Sequence, residues 1–168
     1  MNTHLPPPDS HFLAAAIGWL ELGNLPEAFA ELDHLSATVR SHPDVLEVRW
    51  LLYAEAKDWA AGFRVAEELV QTDAGRSTGW LHRAYAARRM PGGGLPAARD
   101  YLLPAATIFP KEAMIPFNLA CYACQMHQLD EARKWLRQAL RVGKKETIKS
   151  MALSDEDLKP LRDEIRRL

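Results

Sequence analysis

Two cysteines and a histidine in the last third of the chain are the residues whose types and spacing could do chemistry. Cys121 and Cys124 are separated by two residues, and His127 follows at the same interval. Thiolates and imidazoles bind zinc, and a Cys-x-x-Cys pair can carry out thiol–disulfide exchange. A redox pair opens a helix, because the helix N-terminus lowers the thiol pKa, whereas this pair falls in the middle of a predicted helix. With no fourth ligand apparent, we interpret both cysteines as small structural residues and keep a metal- or redox-linked regulator as the lesser alternative.

No other group of residues in the sequence points to catalysis. The remaining histidines are scattered along the chain, at His4, His11, His34, His42 and His82. The glycine run at 92–94 lacks the Lys-Ser/Thr ending of a phosphate-binding loop, so we interpret it as a turn. The sequence therefore predicts no enzyme activity, no metal site and no cofactor.

Composition excludes several classes of partner. The chain has 168 residues and a formal net charge of −1, without the basic excess of a nucleic-acid-binding protein. Its apolar runs are short and interrupted by charges, which predicts no membrane span. The first ten residues lack the basic and hydrophobic regions of a signal peptide. We expect a cytoplasmic protein that binds neither nucleic acid nor membrane.

The cysteine pair lies in a segment, residues 115–140, that predicts two helices joined by a tight turn at 127–129. The first helix carries apolar and small residues at spacings of three and four, namely Phe117, Ala120, Cys121 and Cys124. The second helix has an apolar face formed by Leu129, Ala132, Leu136, Ala139 and Leu140, with charged residues on the opposite face. The segment therefore predicts a helical hairpin.

The hairpin pattern recurs along the whole chain. From Leu129, successive backward steps of 34, 36 and 34 reach Leu95, Trp59 and Leu25, which open the other second helices. For the first helices the steps are 36, 34 and 34, from Ala120 through Ala84 and Trp50 to Ala16. The 36-residue step separates the fourth unit from the third for the first helices, but the third unit from the second for the second helices. Two extra residues must therefore lie between the paired helices of the third unit, in the Gly-rich loop at 89–96.

A helical hairpin that repeats with a period of about 34 residues resembles the tetratricopeptide repeat. Small residues occupy the family's eighth position at Ala16, Ala84 and Ala120, and its twentieth at Ala28, Gly62, Ala98 and Ala132. Pro110 stands where the family often ends a unit, whereas Trp50 replaces a usual small residue. The resemblance implies an all-α fold, an α-α superhelix (solenoid) of helix-turn-helix units.

The predicted organisation follows from this register. We expect an extended Pro-rich tail over 1–8, repeats over 9–42, 43–76, 77–112 (with its insertion near 90–94) and 113–146, and C-terminal capping helices over 147–168. The second helix of the first repeat is predicted to reach about Arg40. The second helix of the third repeat is predicted over about 95–108, with a kink at Pro104. We expect the cap to cover the fourth repeat with Ile148, Met151, Leu153, Leu158 and Leu161.

The resemblance also implies where a partner would bind. In the family, the first helices of the repeats line a concave groove. The groove residues expected here are Leu13, Ile17, Leu51, Glu55, Leu81, Tyr85, Arg88, Arg89, Phe117, Asn118, Cys121 and Gln125, and the same face includes Leu20, Glu21, Asp44, Glu47 and Ala54. Such an apolar groove suits an amphipathic helix or an extended peptide of another protein. We therefore predict a non-enzymatic interaction module (adaptor, assembly factor or chaperone), with a self-associating structural module, a homodimer, as the alternative.

Overall fold

A computed structural model describes residues 5–168, so half of the predicted N-terminal tail, residues 1–4, lies outside the described residues. Every regular element in the described part of the chain is a helix, which confirms the predicted all-α class. The chain forms two compact units, Met1–Ala86 and Ala87–Leu168. In residues 5–168 no helix is both long enough and apolar enough to cross a membrane.

The first unit is built from pairs of consecutive helices. Its helices are α1 (Asp9–Glu21), α2 (Leu25–Asp33), α3 (Pro43–Glu55), α4 (Trp59–Thr72) and α5 (Ser77–Arg89), the last three residues of α5 belonging to the second unit. Helix α1 packs against α2, and α3 packs against α4. Side-chain caps define where two of these helices begin: Asn24 accepts from the amide of Glu27, and Asp58 accepts from the amide of Ala61.

The second unit continues the pairing and ends in a C-terminal segment. Its further helices are α6 (Leu95–Leu102), α7 (Ala105–Ile108), α8 (Met114–Gln125), α9 (Leu129–Val142), α10 (Lys145–Ser154) and α11 (Arg162–Arg166), with a 3₁₀ segment at Glu156–Leu161. Helices α8 and α9 form the hairpin predicted from residues 115–140. Pro104 interrupts the helix predicted over 95–108, which divides into α6 and α7, because proline has no amide hydrogen and its ring crowds the preceding turn.

The turns between paired helices repeat one backbone geometry. Gly23, Lys57 and His127 have positive φ angles of 73°, 58° and 61°, a conformation that reverses the chain after a helix. In each turn a backbone amide donates a hydrogen bond to a carbonyl of the preceding helix, with 2.9 Å between nitrogen and oxygen. The pairs are Asn24 to Trp19, Asp58 to Tyr53, Gln128 to Ala123 and, in the third hairpin, Gly94 to Ala87. This last bond spans two more residues than the others, which agrees with the insertion that the sequence predicts in that loop.

The end of α2 differs from the sequence-based prediction. The helix stops at Asp33 and is followed by a short 3₁₀ turn at Ala37–Val39, instead of continuing to about Arg40. The amide and hydroxyl of Ser36 both donate to the carboxylate of Asp9, each at 2.8 Å. These bonds tie the chain after α2 to the start of α1. Because Asp9 is buried and lies 27 residues away, no local pattern could reveal this contact.

The core of the first unit includes two residues that the repeat pattern did not anticipate. Leu5, from the predicted tail, is buried with the side chains of α1, α2 and α3. Trp50 is buried in α3 beside Gly62 of α4, and a methyl group at Gly62 would lie 3.6 Å from the indole nitrogen of Trp50. At that distance the methyl would make an ordinary van der Waals contact, so the Trp50 side chain fits beside α4 at a position where the repeat usually has a small residue.

The C-terminal segment packs against the hairpin of α8 and α9. Of the residues predicted to dock there, Ile148, Leu158 and Leu161 are buried, whereas Met151 and Leu153 are half-buried. An ion pair between Arg133 of α9 and Glu164 of α11, at 2.8 Å, adds a link between the hairpin and the C-terminal segment. Each fully buried aliphatic side chain contributes about 1.5–3 kcal/mol, so the segment stabilises the second unit mainly through its apolar residues.

Candidate functional site

The first unit contains an open cavity of about 640 Å³. Residues of α1, the following turn, α3, the start of α4 and α5 line it: Leu20, Glu21, Gly23, Trp50, Leu51, Ala54, Glu55, Trp59 and Tyr85. Leu51 is 43% exposed and Tyr85 is 38% exposed, so two large apolar side chains face the same open space. The cavity therefore presents apolar surface to solvent.

The cavity residues occupy matching positions of the repeat. Leu51 of α3 and Tyr85 of α5 stand at the same position of successive repeats, as do Glu21 of α1 and Glu55 of α3. Three of the predicted groove residues, Leu51, Glu55 and Tyr85, are thus brought together around one space, beside Leu20, Glu21 and Ala54 from the same predicted face.

The other predicted groove residues of the first unit lie outside the cavity lining. Leu13 is buried in the core of α1, α2 and α3. Leu81 is half-buried in α5. Ile17 is 39% exposed on α1, but it does not line the cavity.

An aromatic cluster forms one wall of the cavity. The ring of Tyr85 lies 6.0 Å from that of Trp50 and 5.7 Å from that of Trp59. Behind this wall the imidazole of His82 stacks on Trp50 with a centroid distance of 3.7 Å and an interplanar angle of 8°. Packing on several sides restricts the rotamers of these rings, so the wall is formed before any ligand binds.

The charges around the cavity are mainly negative. Glu21 and Glu55 are exposed, and neither carboxylate forms an ion pair within residues 5–168. Burial lowers the pKa of His82 to about 4, against a weaker opposing effect of Glu47, so its imidazole is uncharged at neutral pH. The cavity thus carries two unpaired carboxylates.

Two other acidic residues of the predicted face are already neutralised. The guanidinium of Arg76 lies 2.7 Å from the carboxylate of Asp44 and 3.4 Å from that of Glu47. Glu47 also accepts a hydrogen bond from the Thr78 hydroxyl. The carboxylates of Asp44 and Glu47 are therefore engaged by other residues of the first unit.

Trp50, Trp59 and Gly23 line the cavity but were not among the predicted site residues. The signal for Trp50 was present in the sequence, since a tryptophan stands where the repeat usually has a small residue. Trp59 opens a second helix, and the resemblance assigns the groove to first helices alone. Sequence reasoning could have included these aromatic residues only by asking where such large side chains fit.

In the second unit the chain's own C-terminal segment covers much of the predicted face. Arg88 makes a two-pronged ion pair with Asp157, with 2.9 Å between Nη2 and Oδ1. The Gln125 side chain donates to the carbonyl of Asp157 at 3.1 Å. Phe117 and Cys121 are buried. These side chains therefore contact residues of their own unit.

The two remaining predicted residues of the second unit are partly enclosed. Asn118 is half-buried and donates to the carbonyl of Met114 within α8, at 2.8 Å. Arg89 is half-buried at the end of α5. Neither position resembles the exposed apolar surface of the first unit.

The cysteine pair does not form the constellation that its spacing suggested. His127 is exposed in the turn after α8, whereas Cys121 and Cys124 are buried. The Cys121 thiol donates to Asp155 over 3.7 Å. Burial raises the pKa of both thiols, and Asp155 and Asp157 raise the pKa of Cys121 further. Both cysteines are thus protonated near neutral pH, which disfavours thiolate redox chemistry.

One different group of potential ligand atoms clusters among the described residues. The side chains of Cys121, Asp155 and Asp157 approach one another within 4.8 Å. Asp157 is engaged by Arg88, and Asp155 accepts from both the Cys121 thiol and the amide of Asp157. The cluster is therefore explained by these hydrogen bonds, which hold the C-terminal segment against α8.

No protein-family model matches this sequence, and no curated protein matches it either. The resemblance to the tetratricopeptide repeat therefore rests on the residues and spacing of the chain itself. The function has to be inferred from the shape and charge of the cavity.

Proposed function

We propose that this chain is a protein-binding module of the tetratricopeptide kind, which holds a helix or peptide of another protein in the cavity of its first unit. The observation that carries the proposal is the pair of exposed apolar side chains, Leu51 and Tyr85, at matching repeat positions in one open cavity. Concave apolar surface with a few polar groups is typical of a binding site.

The dimensions of the cavity suit side chains of a partner. Its volume of about 640 Å³ falls within the range of about 300–1,000 Å³ that is typical of ligand sites. Aromatic residues in such a position commonly contribute most of the binding energy. The preformed contacts of Tyr85 with Trp50 and Trp59 would reduce the entropy lost when a partner binds.

The ionisable side chains of the lining are the carboxylates of Glu21 and Glu55 and the phenol of Tyr85, among otherwise apolar residues and a glycine. A mainly apolar surface of this kind supports binding. In the second unit, the predicted groove residues Arg88, Cys121 and Gln125 contact the C-terminal segment. We therefore assign partner binding to the first unit instead of to all four first helices.

Site-specific photo-crosslinking tests this proposal. A photoreactive benzoylphenylalanine would replace Leu51 in the full chain, and a control would carry it at Ile108, an exposed residue of the second unit. After irradiation in lysate of the source cells, position 51 is expected to yield a discrete crosslinked protein that position 108 does not yield. Adding Tyr85→Glu to the position-51 chain should remove the product while circular dichroism shows unchanged helix content. Identical products from both positions would contradict the proposal.

A further inference from the structure

The charge of the cavity indicates what kind of side chain it takes. Glu21 and Glu55 are the charged residues of the lining, which contains no lysine or arginine. The other acidic pair of this helical face, Asp44 and Glu47, is compensated by Arg76. An acidic ligand would be repelled by the two cavity carboxylates, whereas a basic ligand would neutralise them.

The aromatic wall favours the same kind of ligand. The faces of tryptophan and tyrosine rings attract cations, and arginine gains additionally from stacking its planar guanidinium on them. Trp59 and Tyr85 present accessible ring surface to the cavity that Glu21 and Glu55 border, whereas Trp50 is buried behind them. Stacking with His82 orients the Trp50 ring, and the imidazole adds no opposing positive charge at neutral pH.

The combination of these features specifies one occupant. Resting on the function proposed above, we infer that the cavity binds an arginine side chain of the partner segment, placed beside an apolar residue that contacts Leu51. The guanidinium lies against the aromatic wall and pairs with Glu21 and Glu55. A lysine fills the same place less tightly, because its ammonium is a compact charge that cannot stack.

Selection from a phage-displayed library of random dodecapeptides tests this inference. The full chain is immobilised in three forms: wild type, Glu21→Gln/Glu55→Gln and Leu51→Glu/Tyr85→Glu. The glutamine variant removes charge at exposed positions with little change of shape, so its fold should persist. Helix content of all three is compared by circular dichroism. Enriched peptides are then synthesised, each with a matched peptide in which citrulline, a neutral isostere, replaces arginine.

The expected result is enrichment of peptides that combine arginine with a neighbouring apolar residue on the wild type. We expect citrulline to weaken binding to the wild type at least tenfold and to change binding to the glutamine variant less than threefold. The advantage of the arginine peptides should also decrease as salt is raised, because exposed charges are screened.

Other outcomes separate the two proposals. Peptides that bind the wild type, fail on Leu51→Glu/Tyr85→Glu and show no preference for basic residues would overturn the arginine inference alone. Equal enrichment on the wild type and the Leu51→Glu/Tyr85→Glu variant would overturn both. A wild-type dimer by light scattering that this variant converts to a monomer would identify a second copy as the occupant and would also overturn the inference.

Discussion

The half-buried histidine behind the cavity should make the stability of the first unit depend on pH. His82 is stacked on Trp50, and burial lowers its pKa to about 4 in the folded chain. In the unfolded chain the imidazole returns to an ordinary pKa of about 6.5. Replacing His82 by phenylalanine keeps an aromatic ring against Trp50 but removes the titration, so a comparison of the two chains isolates this effect.

The size and sign of the effect follow from the two pKa values. Between pH 6.5 and about 4 the unfolded chain binds a proton that the folded chain excludes, so the His82 contribution is fully present above pH 6.5 and is lost as the pH falls. One pKa unit corresponds to about 1.4 kcal/mol, so the full difference amounts to about 3 kcal/mol. The free energy of unfolding of the wild type should therefore fall, relative to His82→Phe, by about 3 kcal/mol between pH 7 and pH 4.

Urea unfolding followed by circular dichroism at several pH values between 4 and 7 would measure this difference. The exposed His11, replaced by glutamine, provides a control for the loss of a histidine at the surface. Near pH 7 the His82→Phe chain should differ little from the wild type, because the ring stack is retained. A constant difference between wild type and His82→Phe across the whole pH range would refute the lowered pKa of His82.

Four further changes test the packing, each by urea or thermal unfolding. Gly62→Ala should stabilise the first unit by about 0.5–1 kcal/mol, because the methyl has space and glycine is a poor helix former; a loss of stability would contradict this. Gly93→Ala should destabilise by at least about 2 kcal/mol, since the new methyl would lie 1.9 Å from a backbone oxygen; near-neutral behaviour would show that the loop can rearrange. Asp9→Ala should cost about 1–3 kcal/mol through the two hydrogen bonds that its buried carboxylate accepts, and an unchanged midpoint would exclude that role. Deleting residues 144–168 removes several core side chains of about 1.5–3 kcal/mol each and should abolish cooperative unfolding of the second unit; a melt like that of the full chain would disprove the cap.

Local patterns were sufficient for most of the fold. The spacing of apolar residues identified the paired helices, because each helix must bury one face wherever it packs. The shift in the repeat steps located the insertion in the loop before Gly94, and Pro104 predicted a kink at the point where the structure has two helices, α6 and α7. The end of α2 was the exception, since it depends on the contact of Ser36 with Asp9 across 27 residues.

The repeat register also predicted part of the candidate site. Leu51 and Tyr85 could be placed on one face because they stand at the same position of successive units. The depth of the cavity and its aromatic wall could not be predicted, because Trp50 and Trp59 occupy positions that the repeat does not assign to a groove. Their place depends on ring contacts across helices, of Trp50 with His82 and of both tryptophans with Tyr85.

The sequence by itself thus determined the helices, their pairing and the face on which exposed apolar residues recur, since all of these depend on spacings within one or two repeats. Only the tertiary structure decided which part of that face is available to a partner. Arg88 pairs with Asp157 across 69 residues, while Glu21 and Glu55 have no ion-pair partner within residues 5–168. The physical reason is that the pairing of a charge depends on which distant segment folds against it, and periodicity carries no information about such contacts.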